Sequence, residues 1–393
     1  MRRARVTRGR AVGALALLLI AVGWAVPVGA TVPNPTTIRQ ALDDDDHRDG
    51  QPTIVTEGAL LFGTELTPEQ GLGPLFNARS CITCHSSPFS GGMGSNGLGI
   101  ALRVGRLDNG AFDPLVGHGG PIARAHAVSE LGYACTARPG IPAGANLTSV
   151  RNAPALFGLG LVDAIPDDVI LAGVTSTTDG VHGQPNLVLD PTGKERVGRF
   201  GWKADIATLH QFVGEAFRNE LGITNPAAPR DLSLPSVADE TGCAGLGMAP
   251  EDDGTMVDAV TAYITDLKPV HGQQDVMRTE GERLFRSTGC ASCHTPSLYT
   301  NEREIPLYSD LLIHDMGPAL DDGVVQGQAI GRQWRTTPLW GLSVRQRFLH
   351  DGRARSPQEA ILAHGGEADE AVLHFRSLPP DEQEALLRLL GSL

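Results

Sequence analysis

Four of the chain's six cysteines fall in two like frames, Cys81-Ile82-Thr83-Cys84-His85 and Cys290-Ala291-Ser292-Cys293-His294. Two thiols at this spacing can form thioethers with the vinyl groups of a haem, and the trailing histidine can bind the iron from one side. A redox dithiol needs no such histidine. A zinc half-site needs a partner pair at finger-like spacing, and the sequence has none. The frames therefore predict two covalently bound c-type haems, with His85 and His294 as iron ligands. A haem with a side chain on both faces carries electrons, whereas an open face can take a small oxidant. His118, His126 and Met93 follow the first frame, but none has a convincing ligand spacing. The distal face of the first iron is read as open, which makes it the candidate reaction site.

The elements that must position these frames also repeat. A helical stretch around Thr56–Phe62, followed by Leu72–Arg79, leads into the first frame. Asp275–Ser287, with Met277, Leu284 and Phe285 spaced for one helix face, leads into the second. Met256–Ile264 closes the first half, and Pro380–Leu393, with Leu386, Leu387, Leu389 and Leu390, closes the second. This is a small cytochrome used twice, as a degenerate duplication. The first half carries a large insertion rich in glycine and proline, in which Gly117–Pro121, Arg138–Gly144 and Asn225–Leu234 read as loops. Insertions of this size usually serve function or partner binding. The expected fold is mostly α, with two cytochrome c-like domains, one c-type haem each, and a loop-rich insertion in the first. The divisions are a signal peptide at 1–30, an acidic leader at 31–54, an N-terminal domain at 55–268 and a C-terminal domain at 275–393. A linker at Lys268–Gln274, with Pro269 and Gly272, joins the two domains.

The length of 393 residues leaves ample chain for a core around each haem. Arg2, Arg3, Arg5, Arg8 and Arg10 precede the apolar run Ala11–Val26 and the small residues Val28-Gly29-Ala30. This is a secretory signal cleaved near Ala30, favoured over a retained anchor by the short apolar run and Pro27. No other stretch is long and apolar enough to span a membrane. The mature chain is expected in the periplasm or outside the cell. Loss of the five signal arginines takes the net charge from −13 to −18. An acidic surface argues against nucleic acid and anionic lipid, and for a small basic electron-donor cytochrome or similar redox protein. The remaining Cys135 and Cys243 form a disulfide in an oxidising compartment, or stay as two buried thiols. The run Asp43–Asp46 lacks the glycine and glutamate spacing of a calcium loop, so calcium is admissible but not indicated.

Beyond His294 the chain reads Tyr308-Ser309-Asp310-Leu311-Leu312-Ile313-His314-Asp315-Met316-Gly317-Pro318. Trp334-Arg335-Thr336-Thr337-Pro338-Leu339-Trp340-Gly341-Leu342, Phe348-Leu349-His350-Asp351-Gly352-Arg353-Ala354-Arg355 and His364-Gly365-Gly366-Glu367-Ala368 follow. In the first half stand Gly71-Leu72-Gly73-Pro74-Leu75-Phe76-Asn77, Leu156-Phe157-Gly158-Leu159-Gly160-Leu161 and Gly198-Arg199-Phe200-Gly201-Trp202-Lys203-Ala204. These segments closely resemble the di-haem oxidoreductases, a family also labelled peroxidase or thiol oxidoreductase. The likeness covers most of residues 55–393 and is least clear between about 95 and 145. More distantly the chain is similar to bacterial di-haem cytochrome c peroxidases and the methylamine-utilisation di-haem enzyme, which have two domains with one haem in each.

The resemblance implies residue roles. In the peroxidases a methionine fourteen residues after the histidine of a Phe-His-Asp-Gly motif ligates the C-terminal haem, and here that position, counted from His350, is His364. A His294/His364 haem would have a lower potential than a His/Met one. Met316 and His314 are the competing ligands. Against ligation, His364 precedes Gly365-Gly366 and can simply end a helix. The peroxidases also have a tryptophan between the haems, then a distal-pocket glutamine, then a glutamate. Trp202, Gln211 and Glu220 are similar in order and roughly in spacing. Cleaving a peroxide heterolytically needs a base that takes a proton from one oxygen and returns it to the other. A carboxylate whose pKa is raised in an apolar pocket can do so near neutral pH. The bland alternative is an amphipathic helix with Ile206, Leu209, Val213 and Phe217 inward and Glu215 and Glu220 on its wet face. Arg335 and Arg353 are cations for haem propionates, and His350 orders a turn or meets a propionate.

Three functions compete. The first is an exported oxidoreductase that reduces peroxide at the N-terminal haem with electrons delivered through the C-terminal haem. The second is an electron carrier without catalysis, which would not need Trp202, Gln211 and Glu220. The third is an oxidase of thiols, sulfur compounds or protein side chains.

Overall fold

The longer helices are α1 (Ile54–Gly63), α2 (Leu209–Ala216), α3 (Thr255–Asp266), α4 (Arg278–Ser287), α5 (Pro357–Ala363), α6 (Asp369–Ser377) and α7 (Pro380–Gly391). The computed structural model describes residues 53–94, 99–174, 180–232, 243, 251–272, 278–300 and 302–393. The signal stretch, the leader up to residue 52 with Asp43–Asp46, residues 233–234 and residues 273–277 lie outside the described residues. Side-chain caps start several helices: Thr53, Thr208 and Ser356 accept from Thr56, Gln211 and Glu359 N–H, and Pro357 opens α5.

Each entering helix lies against the helix that closes its half. At the α1–α3 crossing a Cβ on Gly58 would stand 1.9 Å from the Ala259 carbonyl oxygen. At the α4–α7 crossing a Cβ on Gly281 would stand 2.6 Å from the Leu389 Cβ. Only glycine lets the axes come this close. One core joins Phe62, Leu72, Phe217 and Val260 with Leu307, Leu312 and Trp340 from beyond the second frame. A second core joins Leu284, Phe285, Phe348, Phe375 and Leu386.

The fold is not mostly α: helix accounts for 34% and strand for 18%. The difference lies chiefly in the insertion, whose glycine- and proline-rich sequence reads as loop. β1 (Ile100–Asp108) pairs antiparallel with β2 (Ala111–Asp113), β3 (Ile122–Ala123) and β4 (Leu147–Asn152). Asn109 and Gly110, with φ of 49° and 84°, make the β1–β2 turn. The approach to the first frame also differs, because Leu72–Arg79 holds the short strand Leu75–Phe76 rather than a helix. In the second half β5 (Ile313–Asp315) pairs antiparallel with β6 (Gln333–Arg335). Cys135 and Cys243 form a disulfide. Among the described residues no helix is long and apolar enough to cross a membrane.

Candidate functional site

Both frames sit on one-turn 3₁₀ helices, Cys81–Thr83 and Cys290–Ser292. Burial pushes the Cys81 thiol up to about 12 and the Cys84 thiol up to about 11, with the nearby Glu220 charge adding to the latter. A redox dithiol needs the opposite shift, toward an accessible thiolate. His85 Nδ1 lies 3.2 Å from the Gly92 carbonyl oxygen, and a carbonyl can only accept, so Nδ1 carries a proton there.

Glu220 is delivered to the first frame by a change of helix pitch. After α2 the chain widens into a π-helical turn at Phe217–Leu221 and stops at Gly222, whose φ is 68°. Gly73 crosses there so closely that its Cβ would be 2.1 Å from the Gly222 carbonyl oxygen. Asn77 Nδ2 donates to Glu220 Oε2 at 2.8 Å, and Asn77 N–H donates to the Glu220 carbonyl at 2.7 Å. Glu220 is part-buried and held by Asn77, and its charge acts on Cys84. Glu215 is also mostly covered, at 24% exposure. Its Oε1 accepts from Gln211 Nε2 at 3.2 Å and its Oε2 from Arg218 Nη2 at 3.3 Å. Burial pushes its carboxyl up, against the Arg218 charge. Gln211 therefore serves Glu215, and among the described residues no hydrogen bond joins Trp202, Gln211 and Glu220 to one another.

Trp202 belongs to the second frame's surroundings. A cavity of about 480 Å³ is lined by Cys290, Cys293 and His294 together with His364, Met316 and Trp202. His294 Nδ1 donates to the Tyr308 carbonyl at 2.9 Å, and His364 Nδ1 donates to the Ala360 carbonyl at 2.6 Å. Burial pushes His294 down to about 4 and also lowers His364, which favours the neutral ring that a metal would need. His364 does end helix α5, as its sequence context suggests, and still turns toward the cavity. His314 is otherwise engaged: Nδ1 meets Glu367 Oε2 at 2.8 Å and Nε2 meets Asp310 Oδ2 at 2.9 Å. Burial opposes its charge, but the Asp310, Cys293 and Glu367 hydrogen bonds prevail and raise it to about 12. Both of its ring nitrogens are committed to carboxylates, which leaves neither for an iron. Met316 lines the cavity with no such commitment of its sulfur.

The donor set fits a haem. Arg335 and Arg345 line the same cavity and, among the described residues, hydrogen-bond only carbonyls: Gly201 and Thr336 for Arg335, and Pro338 and Trp340 for Arg345. Burial lowers both to about 10, and Arg345 Nε is buried with no partner. Two guanidiniums with no carboxylate hydrogen bond among the described residues suit propionates. Arg353, expected in that role, instead ion-pairs with Asp351 at 51% exposure. Arg345 is missed by the sequence because nothing in Leu342-Ser343-Val344 marks the next residue as facing a cavity. His350 lines the cavity and stacks on Trp334, with ring centroids 3.7 Å apart.

Around the first frame, His126 is 49% exposed and bonded to Glu130 at 2.9 Å. Met93 lines the second cavity. The two sites are linked by a short run of chain. Trp202 Nε1 donates to the Asn152 carbonyl at 3.0 Å, and two residues on the Pro154 carbonyl is a hydrogen-bond partner of the His85 ring.

A family model described as "Di-haem oxidoreductase, putative peroxidase" matches residues 145–393, a span that includes the second frame, Trp202, Gln211 and Glu220. No curated protein matches the chain. Among solved structures it is similar to Kuenenia stuttgartiensis hydrazine synthase, at 16% identity over all of both chains with a TM-score of 0.42. It is similar to the diheme peroxidase BthA from Burkholderia thailandensis at 16% identity, covering 91% of this chain and 88% of that one, with a TM-score of 0.40. A MauG-like protein associated with microbial copper homeostasis matches at 14% identity, covering 61% of this chain and 88% of that one, with a TM-score of 0.33. These likenesses are too remote to carry function.

Proposed function

The chain belongs to the di-haem oxidoreductase family, and on that premise we propose an exported c-type enzyme that reduces peroxide at the haem of the first frame. Cys81, Cys84, Cys290 and Cys293 attach the two haems as thioethers, and each half of the chain is a cytochrome c-like domain. A bound haem supplies an iron that exchanges single electrons and, on an open face, takes a small oxidant.

The observation that carries this reading is Glu220, a carboxylate held by Asn77 whose charge acts on Cys84 of the first frame. Asn77 holds Oε2, so Oε1 is the atom that takes and returns the substrate proton. Gln211 keeps Glu215 in place, and Glu215, its carboxyl pushed up by burial, is the weaker candidate for the same proton. At the second frame His294 and His364 would hold the iron, with Met316 the competing ligand. That suits an electron-entry haem, and Trp202 at its wall passes electrons toward His85 by way of Asn152–Pro154. The donor is a small basic redox protein that docks on a mature chain of net charge −18.

The test is Glu220→Gln in the holoprotein. Peroxide turnover should fall by roughly 100-fold or more with haem content and optical spectra unchanged. Wild-type turnover in this variant would sink the assignment.

A further inference from the structure

Lys203, next to Trp202, is completely buried. Its Nζ donates to three main-chain carbonyls, Ile330 at 2.7 Å, Gly331 at 2.8 Å and Gln333 at 2.9 Å. An ammonium has three donors and no acceptor, so these oxygens satisfy it completely. On its other sides stand Asp322 Oδ1, 3.4 Å away, and the face of Trp334, whose ring centroid is 3.9 Å from Nζ. The second Asp322 oxygen is taken by Arg151. Three inward carbonyls, a carboxylate and a ring face form the shell of a small cation. Leaving such groups buried without one is costly.

The shell and its occupant come from different parts of the chain. The oxygens belong to the segment from Asp322 into β6, and the lysine to the turn Gly201–Ala204. From β6, Arg335 N–H donates to the Trp202 carbonyl at 2.9 Å and Arg335 Nε to the Gly201 carbonyl at 2.9 Å. The ammonium therefore pins the turn that carries Trp202 to the strand that carries Trp334 and Arg335, and all three side chains line the second cavity.

We propose that residues 322–333 form a monovalent-cation site and that Lys203 is its tethered occupant, holding Trp202 at the cavity wall in place of a free ion. The nitrogen–oxygen separations are those of an ammonium. Calcium draws its oxygens in to roughly 2.3–2.6 Å, so this shell is too wide for it. Burial pushes the Lys203 amine down to about 8, against the Asp322 charge, and it stays cationic at neutral pH. The proposal does not depend on which oxidant the first frame reduces.

The test uses the holoprotein of Lys203→Ala and Lys203→Met, with Tm and the midpoint potential of the second haem as readouts. Lys203→Ala should lose Tm and shift in potential. Ammonium or methylammonium chloride should restore both saturably, whereas tetramethylammonium chloride at equal ionic strength should not. Lys203→Met fills the shell with its own stem and should respond to none of these salts. Accumulation of Lys203→Ala only in ammonium would be the same result. A wild-type Tm in Lys203→Ala, equal rescue by tetramethylammonium, or failure to accumulate in every ion would overturn the proposal.

Discussion

His294 and His364 line one cavity, and each gives its Nδ1 proton to a main-chain carbonyl, at 2.9 Å to Tyr308 and at 2.6 Å to Ala360. Both rings thereby keep Nε2 for a metal, which is the tautomer that an iron between two imidazoles requires. His364→Ala should replace the low-spin signal of the second haem with a high-spin one in low-temperature EPR, and Met316→Ala should leave it as it is. The reverse pattern would assign the iron to Met316.

Arg345 lines the second frame's cavity; its Nη2 donates to the Pro338 and Trp340 carbonyls, and among the described residues its buried Nε has no partner. A nearby cation disfavours the ferric state, so Arg345→Gln should lower the midpoint potential of the second haem by on the order of tens of millivolts. Spectroelectrochemistry measures this directly. An unchanged potential would remove Arg345 from the haem's surroundings.

Asp167 holds two arginines, Arg196 at 2.7 Å and the buried Arg199. Burial acts to raise its carboxyl, but the Arg196 bonds, the Val197 N–H and the Arg199 charge outweigh it and lower it from 3.8 to about 2. The unfolded chain thus binds the proton first. The stabilisation is complete above pH 4 and fades as pH falls toward 2, by about 2 kcal/mol. Asp167→Asn should abolish that slope in denaturant unfolding and lower stability at neutral pH by about 3 kcal/mol, because Arg199 is left buried and unpaired. An acid limb identical to wild type would contradict the Asp167 contribution.

Gly58 meets Ala259 with no room for a methyl group. Gly58→Ala improves helix propensity by about 1 kcal/mol, yet overpacking the crossing should dominate and cost a net 1–3 kcal/mol or so. Thermal unfolding of the holoprotein decides it, and a stabilised variant would show that the crossing can open freely.

Much of this was legible from spacing alone. The Cys-x-x-Cys-His frames and the helices α1, α3, α4 and α7 follow from local motif and periodicity, whereas His364, fourteen residues beyond His350, stood out only through the resemblance to the di-haem peroxidases. The Cys135–Cys243 pairing follows from counting. The β-sheet of the insertion was hidden because β1 and β4 mix Arg, Thr and Ser among their apolar residues. Asn109-Gly110 was nevertheless a hairpin signal in plain view. Trp202, Gln211 and Glu220 follow one another in sequence but serve different places: Trp202 lines the second frame's cavity, Gln211 bonds Glu215, and Glu220 is held by Asn77. Arg345 and the Lys203 cage depend on chain segments more than a hundred residues apart in the latter case, and no local pattern announces them.

The central claim is asymmetry between the two haems, one closed by His294 and His364 and one open beside Glu220. Low-temperature EPR and optical spectra of the holoprotein, oxidised and half-reduced, with and without hydrogen peroxide, test it most directly. The account predicts one low-spin haem that peroxide leaves unchanged and one high-spin haem that reacts. Two low-spin haems, inert to peroxide even after half-reduction, would contradict it and leave an electron carrier.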